Sequence, residues 1–177
     1  MTVSGQISNK KNSRAHLSSK GFTLVELIVV IVIALISSAI AVPSFIKMMQ
    51  HNRLKTTADS IKQQLYVARS RALANSTVHC GVYFDFSSTP QKVFTFTDDP
   101  TGAQDQYNAL TDKTLLAVLT IPINVQMTLP SSGGITNSCI VFRGDGSAKY
   151  GGTVNVTNSS NTKYINVLAS TGRIKVY

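Results

Sequence analysis

An apolar stretch from Phe22 to Ile46 constrains this chain more than any other feature, and inside it stands one carboxylate, Glu26. At about 25 residues it would measure roughly 37 Å as a helix, enough to cross a hydrocarbon core of about 30 Å. A membrane anchor alone gives no reason for the acid, since a charged side chain at a helix centre costs roughly 2.5–3.5 kcal/mol on insertion scales, somewhat less nearer an end. Some further requirement must hold Glu26 there. Residues 1–20 are basic and free of acid, with Lys10, Lys11, Arg14 and Lys20. Lys47, Arg53 and Lys55 follow the stretch closely, so counting cations on either side does little to orient it. An ordinary secretory signal is the alternative, because Ala39-Ile40-Ala41 offers an A-x-A cleavage site with a mature start at Val42. Glu26 would then interrupt the apolar core of that signal.

Beyond the stretch, Leu54, Ala58, Ile61, Leu65, Ala68 and Ala72 recur at spacings of four and three, an apolar stripe at helical period. The pattern predicts one helix from Thr23 to about Ala74, ended by the weak helix formers Asn75-Ser76-Thr77. Pro43 lies inside it, where a missing backbone donor and a clash one turn back predict a kink or an opened turn. From residue 78 the period becomes two, with Cys80, Val82, Phe84 and Phe86 on one side and Gly81, Tyr83 and Asp85 on the other. Phe94 and Phe96 continue that alternation after Ser87-Ser88-Thr89-Pro90, which reads as a hairpin. Further strands are expected at 115–120, 123–129, 139–143, 153–156, 164–169 and 173–177, and an exposed loop at 98–112. The expected class is α+β, a long helix packed by its second half on a small antiparallel sheet domain.

Charge narrows function little. The chain carries 17 basic and 8 acidic residues, and without the four cations of residues 1–20 the balance falls from +9 to +5. That is an ordinary value for a soluble domain as well as one that suits anionic partners. Cys80 and Cys139 fall beyond the apolar stretch, and a disulfide between them is expected if that part of the chain enters an oxidising compartment. Without residues 1–20 the histidines are His51 and His79, and His79 points away from its neighbour Cys80 on a strand, which disfavours a Cys-His nucleophile. No zinc-spaced cluster, Walker loop or nucleophile elbow appears in the sequence, so no enzyme is expected.

The run Gly21-Phe22-Thr23-Leu24-Val25-Glu26, followed by an aliphatic helix, resembles the processing site of type IV prepilins and type II secretion pseudopilins. The resemblance implies a pilin-like fold and cleavage by a prepilin peptidase after Gly21 on the cytoplasmic side, with N-methylation of the new amine of Phe22. It implies that Glu26 serves assembly by meeting the positively charged amino terminus of a neighbouring subunit, and a proline at the place of Pro43 is usual in the family. The chain then divides into a leader (1–21), a transmembrane and assembly helix (22–46), an amphipathic continuation (47–75) and a sheet domain (76–177). Its location would be the bacterial inner membrane, single-pass with a periplasmic carboxyl-terminal domain, and afterwards a pilus or pseudopilus. Cys139-Ile140-Val141-Phe142-Arg143-Gly144-Asp145-Gly146-Ser147, with Ile165-Asn166-Val167 and Gly172-Arg173-Ile174-Lys175, resembles the subgroup of type II secretion protein H and FimT-like minor pilins.

Three candidate sites remain. Arg173, Lys175 and Tyr177 would share one face of a strand, and the FimT-like resemblance implies DNA as a partner there; a solvated strand face is the alternative. Lys175 lacks the planar fork of arginine, which weakens a bidentate grip on phosphate. Lys55, Lys62 and Arg69, spaced by seven, flank the helix stripe and would either line a contact between subunits or snorkel around the core. Asp98, Asp99, Asp105 and Asp112 could gather around calcium, as some pseudopilins do in loops, though their spacing fits no EF-hand and solvated aspartates are the default. No other cofactor is expected.

Overall fold

The computed structural model describes residues 21–98, 106–130 and 135–177. Helix α1, Leu24–Ala74, spans 51 residues and is followed, among the described residues, by nine strands. The chain divides into two compact units, Met1–Val42 and Pro43–Tyr177. Pro43, where the sequence suggested a kink or an opened turn, lies inside α1.

In the first unit every described side chain is exposed. Thr23 caps the helix, its hydroxyl accepting from the amide of Glu26 at 3.2 Å and its carbonyl accepting from Leu27 at 3.2 Å. The Ser38 hydroxyl donates to the Ala34 carbonyl at 2.7 Å, which lets a polar side chain sit in an apolar run. Among the described residues α1 is the one helix long and apolar enough to cross a membrane, with a mean hydropathy of 2.9 in its best window.

In the second unit the apolar stripe expected from the sequence is the buried face of α1, with Leu54, Ala58, Ile61, Leu65, Ala68 and Ala72 all in the main core. The strands are β1 Cys80–Asp85, β2 Lys92–Thr97, β3 Lys113–Thr114, β4 Leu119–Thr120, β5 Gln126–Thr128, β6 Cys139–Phe142, β7 Gly152–Thr157, β8 Thr162–Val167 and β9 Ile174–Val176. The expected runs at 115–120 and 123–129 thus shrink to short pieces. All pairings are antiparallel, but they make two sheets where the sequence suggested one. The first has the order β3-β2-β1-β6 with β4 also on β2, and the second the order β5-β7-β8-β9.

The split has a local cause. Gly146 takes φ 80° in the turn after β6, so the chain reverses, with Arg143 N–H donating to Ser147 O at 2.9 Å. The return leg then bridges β6 only at Phe142 and Ala148 before the chain leaves for β7. At Gly151 a Cβ would come within 2.7 Å of the Ala169 amide, so only glycine lets the chain pass so close to the end of β8.

Register also decides which aromatics face the helix. Phe84 pairs with Val93 and Val82 with Thr95, so Val93 and Thr95 look toward α1 while Phe94 and Phe96 look the other way. Phe96 lies over Gly81, where a Cβ would meet its ring at 2.7 Å. Tyr107 covers this outer face, stacking on Tyr83 at 4.9 Å and on Phe94 at 5.4 Å. The segment expected to be an exposed loop is therefore anchored at Tyr107, and Asp98 is buried too.

Candidate functional site

The sequence singled out an amino-terminal site, and the geometry adds a cap to it. Gly21, Phe22 and Thr23 precede α1 and are exposed, so the Gly21–Phe22 bond lies outside the helix. Thr23 at the cap and Glu26 three residues later form the Thr-x-x-Glu arrangement of a capping box. The carboxylate stands in the first helical turn, where the positive end of the helix dipole favours an anion. The role of Thr23 was legible in that spacing but was not drawn from it.

At the other end of the chain, β9 sets Arg173, Lys175 and Tyr177 outward while Ile174 is buried in the core. The Lys175 ammonium lies 6.0 Å from the centre of the Tyr177 ring. Tyr164 joins this face, because Tyr177 N–H donates to Tyr164 O at 3.0 Å and Tyr164 N–H donates back at 3.3 Å. Sequence alone placed Tyr164 on a strand but could not give the register that brings it opposite Tyr177.

Cys80 and Cys139 correct the disulfide expectation, for both are free and buried. Cys80 pairs with Phe142 and Cys139 with Tyr83, three positions from Cys80 on the same strand. An odd offset places the two sulfurs on opposite faces of the sheet, Cys80 in the main core and Cys139 under Tyr107. Burial raises the pKa of Cys80, against the opposing pull of its bond to the Thr97 hydroxyl and the charge of Arg71. Burial likewise pushes Cys139 up to about 11, opposed by the Tyr107 backbone amide. Neither is a ready nucleophile.

The helix flank resolves into different roles. Lys62 lies over the Tyr66 ring at 5.9 Å, and Lys55 is exposed. Arg69 turns inward, its Nε donating to Gly146 O and its Nη2 to Thr171 O, both at 3.0 Å. Its guanidinium is thus occupied within the fold. Of the four aspartates weighed for calcium, Asp99 and Asp105 lie outside the described residues; the Asp112 carboxylate accepts from the Asn108 amide at 2.6 Å. Among the described residues no group of three or more His, Cys, Asp or Glu side chains could hold a metal ion.

A long amino-terminal apolar helix followed by antiparallel sheets is a pilin-like α+β fold. Residues 17–42 match the family described as the prokaryotic N-terminal methylation motif. The minor pseudopilin EpsH from the type 2 secretion system of Vibrio cholerae shares the fold, with a TM-score of 0.50 and 11% identity over 71% of this chain and 96% of that one. A second structure of EpsH gives a TM-score of 0.48 and 10% identity over 71% of this chain and 93% of its own. No match is found among curated proteins. The motif thus covers the amino-terminal run, and the likeness to EpsH is one of fold.

Proposed function

We propose that the protein is a minor pilin or pseudopilin, a structural subunit of a type II secretion pseudopilus or type IV pilus that works by assembly and not by catalysis. One observation carries the reading: the methylation motif opens directly into an exposed apolar helix with a lone carboxylate in its first turn. A prepilin peptidase removes the leader after Gly21 and methylates Phe22. The helix holds the subunit in the inner membrane as a single span, with the sheet domain in the periplasm, until it packs among like helices in a filament. Glu26 then meets the cationic amino terminus of a neighbour. In a low-dielectric core either charge alone is heavily penalised, so the pair selects one axial register.

Mass spectrometry of the natural amino terminus is the first test. A mature chain beginning at methylated Phe22 is expected, whereas a start at Val42 overturns the reading in favour of a signal peptide. A Glu26→Gln variant should be cleaved normally yet fail to enter filaments. Normal incorporation of that variant would remove Glu26 from the mechanism.

DNA binding by Arg173 and Lys175 draws thinner support. Nucleic-acid affinity rests on neutralising several phosphates, and two cations give a salt slope of roughly −1.4 on a single strand, too shallow to carry much affinity.

A further inference from the structure

The solvent face of the second sheet carries two ordered rows of side chains. Asn155 pairs with Tyr164 on β8, and Tyr164 lies opposite Tyr177. In the next row Thr153 pairs with Asn166, and Asn166 with Lys175. Asn166 Nδ2 donates to Thr153 Oγ1 at 2.8 Å, which fixes the plane of its amide. That leaves the second N–H and the carbonyl oxygen of Asn166 for a ligand. Tyr164 and Tyr177 are 46% and 61% exposed, so the core does not account for them. From Gly146 to Tyr177 the chain has no Asp or Glu, and the face gains Arg173 beside Lys175.

We propose that this face binds an acidic polysaccharide, a sugar chain carrying uronate-type carboxylates. A tyrosine ring presents a flat apolar body with a polar tip. It matches a sugar ring, whose C–H face is apolar and whose rim is hydroxyl. Asn155, Asn166 and Thr153 supply neutral donors and acceptors for that rim, and Lys175 and Arg173 supply charge for a carboxylate. The ratio of groups chooses between polyanions. A nucleic acid offers a phosphate at every nucleotide and draws affinity from many cations, whereas this face has two cations set among amides, hydroxyls and aromatic rings. A hydroxyl-rich polymer, whose contacts with amides, hydroxyls and aromatic rings do not depend on charge alone, is the better complement.

The test is isothermal titration of the full chain in detergent micelles with a short oligogalacturonate, an uncharged malto-oligosaccharide and an oligothymidylate. Saturable binding of the oligogalacturonate is expected, weakened by salt, with the uncharged sugar about ten-fold weaker or more. Tyr164→Ala should weaken it about ten-fold, while Tyr164→Phe, which keeps the ring, should stay within about two-fold. Lys175→Gln should lower affinity and flatten the salt dependence, and Lys113→Gln, on the other sheet, should do neither. Absent oligogalacturonate binding, or affinity indifferent to both Tyr164→Ala and Lys175→Gln, overturns the proposal. Tighter binding of oligothymidylate overturns it too and makes the face a nucleic-acid surface. None of these outcomes touches the assembly role of Glu26, which is read from the amino terminus and filament incorporation.

Discussion

Replacing Arg69 by methionine should loosen the junction between α1 and the two turns that Arg69 holds. The side chain donates one bond to Gly146 O in a partly buried setting and one to Thr171 O in an exposed one, each at 3.0 Å. Bonds from a charged donor contribute about 1.5–3 kcal/mol when shielded, and much less where water competes. Taking about 1.5 for the first and about 0.5 for the second gives a loss near 2 kcal/mol, about a thirty-fold drop in the folding constant. Methionine keeps the aliphatic stem against the core, so the loss reports the bonds and not the packing. Arg69→Lys should fall between the two, since one ammonium can reach only one of the carbonyls well. The chain has no tryptophan, so urea unfolding in micelles is best followed by circular dichroism. An Arg69→Met midpoint corresponding to a change under about 0.5 kcal/mol would refute the reasoning.

Four other perturbations test further features of the fold. Thr95 donates to Gln64 Oε1 at 2.9 Å in the core, so Gln64→Leu should cost about 1–3 kcal/mol by orphaning the hydroxyl, and Thr95→Val added to it should recover part of that loss, as a double-mutant cycle would record. Alkylation after unfolding, without reductant, should label both Cys80 and Cys139, whereas native protein should label slowly; no label after unfolding would restore the disulfide. Because folding raises the Cys139 pKa from 9.0 to about 11, its contribution is complete below pH 9 and is lost as pH rises toward 11, and Cys139→Ala should flatten that alkaline slope in thermal melts. Thr23→Ala removes the cap on α1 and should cost the first turn about 1 kcal/mol, seen as faster amide exchange at Glu26 and Leu27, with Thr23→Ser restoring protection.

Periodicity carried much of the architecture. The stripe from Leu54 to Ala72 is buried as its spacing required, and the face of β1 bearing Val82 and Phe84 looks toward the helix. The amino-terminal site was readable because a carboxylate in an apolar run conflicts with its surroundings. What failed depended on register, which local pattern does not fix. Cys80 and Cys139 each looked like half of a bridge, yet one odd step in the pairing of β1 with β6 separates their faces. Phe94 and Phe96 alternate as a strand should, and only the register shows that Val93 and Thr95 face α1 while Phe96 is buried in a second cluster. The inward turn of Arg69 was equally hidden, because the two carbonyls it reaches lie 77 and 102 residues away.

Gln91 does for the second sheet what an extra strand would. Its amide accepts from Met127 N–H at 2.6 Å and donates to Met127 O at 3.1 Å, filling both outward backbone positions at the middle of β5. A bare margin at that place would invite another chain to add itself, a hazard that grows when many copies are crowded together. One side chain occupies the middle of this margin, so strand addition at β5 would first have to displace Gln91.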